Sequence, residues 1–256
     1  MQKISVVTIN LNNRDGLRET MESVLAQTHP EIEYIVVDGG SADGSAELIA
    51  RHAARLAFCV SETDEGVYFA QNKGLARAGG EYCLFLNSGD TLYTKTVIAD
   101  VFAKTRNEDI IYGNLIIKHL DGHEHLGVMP DEISFYQMIT DTLWHPVSFI
   151  RRDILLQANG FNTKYRIAAD YDFFLRTVII DRARTIHCGK TISVFDLTGI
   201  SSQPANQALL LSEREAIQKS YFHPSILQLV EEVSLLRQQP VAGGERLIDR
   251  FKRWLA

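Results

Sequence analysis

The chain opens on an apolar run, Ile4-Ser5-Val6-Val7-Thr8-Ile9, and then alternates such runs with stretches of helical period. Val/Ile/Leu-rich runs predict strands at residues 4–9, 32–37, 58–60, 82–86 and 109–112. They lack the polar alternation of a half-exposed strand, so both faces should be covered. Between them, residues 16–26, 45–55, 68–78 and 94–104 carry apolar positions at helical spacing, with Met21, Val24 and Leu25 on one face of the first. Asp43 or Ser45 suits the cap of the second helix, and Gly79-Gly80 ends the third. This alternation implies parallel strands joined by crossover helices.

After Asn114 the pattern changes. Residues 115–118 and 124–128 flank His119-Leu120-Asp121-Gly122-His123, whose Asp-Gly is a hairpin signal. Residues 147–150 and 191–195 read as further strands and 170–178 as a helix. The chain is largely helical from Asn206, with a break at residues 238–244 around Pro240 and Gly243-Gly244. The predicted class is α/β: a mostly parallel central sheet flanked by helices over residues 1–205, in halves 1–114 and 115–205, with a helical C-terminal extension over 206–256.

Composition narrows the partners. A net charge of -6 over 256 residues argues against general nucleic-acid binding, which favours a basic patch. Cys59, Cys83 and Cys188 are far apart without a CxxC pair, so they read as free thiols of a reducing compartment. Residues 1–9 are too short for a signal peptide, and no apolar stretch is long enough to span a bilayer. The expected location is the cytoplasm. Near the C-terminus, Leu247, Ile248, Phe251, Trp254 and Leu255 form one stripe beside Arg246, Arg250, Lys252 and Arg253. Such a helix over 245–256 can lie peripherally on the inner face of the cytoplasmic membrane. It can equally dock on its own domain or on a partner, and self-association into a homo-oligomer stays open.

Acids recur where buried strands should end, which is where open α/β sheets bind ligands. Asp38 follows Tyr34-Ile35-Val36-Val37 and precedes Gly39-Gly40; with Asp43-Gly44-Ser45 supplying the helix cap, Asp38 is left to accept a hydrogen bond from a base N–H. Neither GxGxxG nor GxxxxGK[ST] is present. Asp64-Glu65-Gly66 reads as a loop before Asn72-Lys73-Gly74, where Lys73 can pair with a phosphate or stand as an ordinary surface lysine. Asp90 closes Asn87-Ser88-Gly89-Asp90, which serves equally as a turn or as a place for Mg²⁺ or Mn²⁺ beside diphosphate oxygens. Asp170 and Asp172 lie near a helix start; Asp172 suits its N-terminus, and Asp170 suits a general base in a cleft. Trp144-His145 offers an aromatic face for a sugar.

Taken in order, these segments resemble glycosyltransferase family 2, the inverting GT-A enzymes that build bacterial surface polysaccharides. Ser5-Val6-Val7-Thr8-Ile9-Asn10 is similar to its opening strand, and Val37 to Ser45 to its base-binding turn. Asp64-Glu65-Gly66-Val67-Tyr68 with Asn72-Lys73-Gly74 is similar to its third segment. Phe85 to Asp90 stands at the metal-binding Asp-x-Asp region, and His145 with Arg151-Arg152 and Ala169-Asp170-Tyr171-Asp172 resembles the acceptor side. Thr198-Gly199-Ile200-Ser201 resembles a late glycine-serine motif. The resemblance implies a GT-A fold and a nucleotide-sugar donor, with a UDP-sugar first. It also implies a saccharide or lipid-linked saccharide acceptor and a Mn²⁺ or Mg²⁺ cofactor. Thr8, Asn10, Asp38, Gly39, Asp64, Lys73, Asn87, Ser88 and Gly89 would bind the donor and Asp90 the metal. Trp144 and His145 would face the acceptor, and Asp170 would be the catalytic base. One departure is that Asn87-Ser88-Gly89-Asp90 keeps only Asp90 as a carboxylate. Two other readings compete. Sugar-phosphate nucleotidylyltransfer lacks its glycine-rich loop at Asn10-Leu11-Asn12-Asn13-Arg14, and a lapsed, sugar-nucleotide-binding scaffold would not need all four acids.

Overall fold

The computed structural model describes residues 1–238 except Leu120 and Thr198, so the predicted helix over 245–256 lies outside the described residues. The first elements are β1 (Ile4–Asn10), α1 (Arg14–Leu25), β2 (Ile32–Asp38), α2 (Ser45–His52), β3 (Phe58–Ser61), α3 (Val67–Leu75) and β4 (Tyr82–Phe85). Next come β5 (Thr91–Leu92), α4 (Val97–Val101), β6 (Ile110–Lys118), β7 (Glu124–Gly127), α5 (Phe135–Thr140), β8 (Ser148–Arg151) and α6 (Arg152–Gln157). The last are α7 (Ala169–Phe174), a π-helical turn Leu175–Ile180, β9 (Thr185–Asp196), α8 (Gln207–Tyr221) and α9 (Pro224–Gln238).

Parallel pairs β3-β2, β2-β1 and β1-β4 form the first half of the sheet, as the alternation predicts. In the second half β8 inserts antiparallel between β4 and β6, β9 runs parallel to β6, and β5 and β7 add antiparallel strands. Residues 109–112 therefore do not pair with β4. Their partner, β8, arrives almost forty residues later, and no local pattern announces it. Predicted helix 94–104 shrinks to α4 because the Thr94 and Lys95 carbonyls accept from the Gln27 side chain and the Thr28 amide instead of starting a helix.

The apolar stripe of α1 (Leu17, Met21, Val24) packs with Ile4 and Val6 of β1, Leu84 of β4 and the Val97-Ile98-Val101 face of α4 in one buried cluster. Each such side chain contributes about 1.5–3 kcal/mol on leaving water. Two residues of the Asn72-Lys73-Gly74 motif serve packing. Asn72 bonds both the amide and the carbonyl of Phe161. A Cβ on Gly74 would collide with Val7 Cγ1 of β1.

The chain divides into two units, Met1–Glu213 and Arg214–Ala256. The first holds the sheet. The second begins within α8 and includes α9, whose Ile226, Leu229, Leu235 and Leu236 are exposed. Among the described residues, no helix is long and apolar enough to cross a membrane.

Candidate active site

Sheet register lines up the first polar residues: Asn10 stands beside Asp38, and Asp38 beside Ser61, at the carboxyl ends of β1, β2 and β3. Asp38 is 0% exposed. Its Oδ1 accepts from Asn10 Nδ2 (2.7 Å) and the Ser41 hydroxyl (2.6 Å), and its Oδ2 from the Ser41 amide (3.0 Å) and the Ser61 hydroxyl (2.6 Å). Burial works to raise its pKa, but the bonds from Ser41, Ser61 and Asn10 outweigh it and hold the carboxyl below its usual range. Four donors occupy the roughly four lone-pair sites of a carboxylate. Asp38 is thus not the free acceptor that the sequence implies, and a base reaches it only by displacing a serine. The free acceptor is its neighbour: Asn10 Oδ1 is buried without a partner, and the amide cannot turn round without facing oxygen to oxygen with Asp38. Asp64 caps its own turn by accepting from the Gly66 amide and lies against Gly39, where a Cβ would sit 3.0 Å from Asp64 Oδ2.

A second group forms around the turn after β4. Thr20 of α1, fully buried, donates to the Asp90 carbonyl (2.7 Å) and accepts from the Gly89 amide (3.0 Å). Gly89 has φ +105°, a conformation that favours glycine. Asn13, the N-cap of α1, donates to the Ser88 carbonyl, so residues 11–13 link this turn to the Asp38 region. Asp90 is 3% exposed; its Oδ1 accepts from the Asp196 amide at 3.2 Å, and its Oδ2 has no partner. Burial pushes its pKa up to about 7, with His145 pulling the other way.

His145 and Asp170 complete the constellation. His145 Nδ1 is 3.2 Å from Asp170 Oδ2, and its Nε2 accepts from Asn87 Nδ2 at 3.2 Å. Asp170 Oδ1 accepts from the Tyr171 amide (2.8 Å) and the Tyr68 hydroxyl (3.0 Å), which also reaches the Ile167 carbonyl (2.6 Å). For Asp170, burial favours the neutral acid, but His145 and Tyr68 overcome it and hold the carboxyl low. For His145, burial favours the neutral ring, but Asp170 and Asp90 raise its pKa. Tyr68, Gln71, Asn87, Ser88, Asp90, His145 and Asp170 share one cavity of about 70 Å³. A larger cavity of about 650 Å³ lies beside Asp109, Arg151 and Arg176, but Arg151 and Arg176 there are paired with aspartates, so the chemistry points to the smaller one.

The profile of glycosyl transferase family 2 matches residues 5–161. The chain belongs to glycosyltransferase family 2. A PGL/p-HBAD biosynthesis glycosyltransferase of Mycobacterium bovis is 30% identical over 178 residues, covering 67% of this chain and 68% of that one. Two solved structures share the fold. Staphylococcus aureus TarS 1–349 in complex with UDP is 22% identical with a TM-score of 0.64, covering 76% of this chain and 60% of that one. The Pyrobaculum calidifontis mannosyltransferase PcManGT, in complex with GDP-Man and Mn²⁺, is 15% identical with a TM-score of 0.60, covering 93% and 81%. The architecture is accordingly the GT-A fold expected from the sequence.

In this glycosyltransferase, Asn87, Ser88, Asp90, His145 and Asp170 come together as one site, with Asn10, Asp38, Gly39 and Asp64 as a neighbouring group. Three predicted site residues fall elsewhere. Thr8 is fully buried and its hydroxyl accepts from Tyr34, because β1 is covered on both faces. Lys73 pairs with Glu62 at 2.7 Å. Trp144 is partly buried against the core, and a Cβ on Gly127 of the β6–β7 hairpin would sit 3.0 Å from the edge of its ring. Sequence reasoning passed over Tyr68, Gln71 and Asp196. For Asp196 the signal existed: it is an acid at the end of a predicted strand, like Asp38.

Removing the Tyr68 hydroxyl tests the link between the two halves. Tyr68→Phe takes a donor from Asp170 and leaves the buried Ile167 carbonyl short of a partner. It should lower stability by about 1–3 kcal/mol, read as the urea midpoint. It should also lower kcat more than donor KM.

Proposed function

We propose that this glycosyltransferase moves a sugar from a nucleoside diphosphate donor to an acceptor hydroxyl with inversion at the anomeric carbon. The observation that carries the reading is the one cavity that Asp90, His145 and Asp170 line together, with His145 Nδ1 3.2 Å from Asp170 Oδ2. Asp170 takes the proton of the acceptor hydroxyl, and the diphosphate leaves at the Asp90 end. Tyr68 and His145 keep the Asp170 carboxylate oriented and ionised.

A divalent cation fits this site. Asp90 Oδ2 is a buried acceptor without a partner, which a cation would satisfy. Among the described residues, no three His, Cys, Asp or Glu side chains are grouped to hold a metal alone. Donor phosphate oxygens would have to complete the shell, as is common for Mg²⁺ and Mn²⁺. The bound cation would supply Lewis-acid stabilisation of the leaving diphosphate, and the Mn²⁺ in PcManGT supports this choice.

The base is read through its N–H edge, for which Asn10 Oδ1 is the waiting acceptor. Uracil and guanine both offer such a donor; the likeness to TarS with UDP favours a UDP-sugar. The acceptor in this reading is a saccharide or a lipid-linked saccharide, in keeping with a relative named for biosynthesis, and the basic, apolar-striped sequence of residues 245–256 suits a peripheral membrane contact. A panel of UDP- and GDP-sugars, each with Mn²⁺, Mg²⁺ or EDTA, tests donor and cation together. The cognate donor should raise Tm only when the metal is present, because it binds the native state alone. No shift with any member would overturn the donor class.

A further inference from the structure

Three consecutive backbone amides converge on one carboxylate. Glu213 Oε1 accepts from the Arg166 amide at 2.7 Å, and its Oε2 accepts from the Ile167 and Ala168 amides at 2.9 and 3.0 Å. Successive N–H groups turned to one side make an anion-binding concavity. Here the anion is a side chain of α8, beyond the stretch that the family profile matches.

These residues run directly into α7. Ala168 stands before the first turn and offers no side-chain cap, so Glu213 satisfies amides that the local sequence leaves open. The same run is held along its carbonyl side by Tyr68, whose hydroxyl reaches the Ile167 oxygen. Ile167 lines the cavity, and Asp170 follows three residues on. The backbone that carries Asp170 is thus fixed by two side chains from distant elements, α3 and α8.

We infer that Glu213 is a positioning residue for sugar transfer: it holds residues 166–168, and through them the Asp170 carboxylate, in place. The inference rests on Asp170 being the base. Charge and reach both matter. A charged acceptor makes stronger bonds than a neutral one, and a side chain one methylene shorter draws both oxygens back from the three amides.

Glu213→Ala should lower kcat about a hundred-fold, the scale expected when a reacting group shifts by an ångström, with donor KM unchanged. Glu213→Asp should fall almost as far. Glu213→Gln keeps the reach and one acceptor oxygen, so it should fall less. Amide exchange at Arg166, Ile167 and Ala168 should accelerate in Glu213→Ala, a readout independent of activity. Once the base is gone its position no longer counts, so Glu213→Ala combined with Asp170→Asn should be no slower than Asp170→Asn alone.

Wild-type kcat in Glu213→Ala overturns the inference. So do multiplying losses in the double variant, which would mean that Glu213 acts apart from Asp170. If Glu213→Ala does not fold, Glu213→Gln decides: an unchanged kcat, or a loss confined to donor KM, also overturns it. Failure of the underlying reading looks different, because Asp170→Asn alone would then turn over at the wild-type rate.

Discussion

Asp170→Asn is expected to lower kcat by about a hundred- to ten-thousand-fold, the range that a positioned general base supplies, with donor KM nearly unchanged. The variant keeps the size of the side chain and an oxygen for Tyr68 and the Tyr171 amide, but loses the basic carboxylate. Burial by itself raises the Asp170 pKa; the bonds from His145 and Tyr68 outweigh it and hold the carboxyl below its usual range. A depressed carboxyl pKa means that the base is ready throughout the neutral range, and that activity falls only as acid protonates it. The partner reports the same coupling. Asp170 helps raise the His145 pKa, so in Asp170→Asn the imidazole should titrate at lower pH than in the wild type, followed by NMR. Turnover near the wild-type rate, or an unmoved His145 titration, would remove Asp170 from the mechanism.

Asp90→Asn should separate stability from function. In metal-free protein the Asp90 pKa stands at about 7, against an ordinary value of 3.8, because the side chain is buried and one oxygen lacks a partner. The folded chain therefore holds a proton on Asp90 that the unfolded chain has released. By linkage, stability declines as pH rises from about 4 to about 7, by roughly 4 kcal/mol in total. Asparagine resembles the protonated acid. The variant should match the wild type in Tm at pH 4 and exceed it by roughly 10 °C at pH 8, at about 2–4 °C per kcal/mol for a unit of this size. The same variant should lose metal-dependent donor binding, since the cation loses its anionic ligand. Equal Tm values at pH 8, or donor titrations that respond to metal as before, would contradict the assignment.

The parallel half of the fold was legible because its signals are local. The runs at residues 4–9, 32–37 and 82–86 are apolar enough to be buried on both faces, and an acid at the end of such a run has few places to go but the sheet edge. Asp38 and Asp90 were singled out that way, and Asp170 by its place in a helix start within a recognisable order of segments. The resemblance added Thr8, which lies on a covered face and accepts from Tyr34, and the aromatic reading of Trp144 did not foresee that its ring packs against the core beside Gly127. The local pattern left Lys73 open between a phosphate partner and a surface lysine, and the structure pairs it with Glu62, while its neighbours Asn72 and Gly74 serve packing.

By itself, then, the sequence determined which strands are buried, where they end in polar groups, and that the chain is a family 2 glycosyltransferase. Only the tertiary structure decided which polar groups remain available. Asp38 is saturated by Asn10, Ser41 and Ser61, while Asp90 Oδ2 and Asn10 Oδ1 are left open. Tyr68 and His145 reach Asp170 from 102 and 25 residues away, and Glu213 reaches the backbone of residues 166–168 just before it. The reason is physical. Burial and periodicity are properties of neighbours along the chain, but the state of a carboxylate depends on every donor that folding brings within about 3 Å.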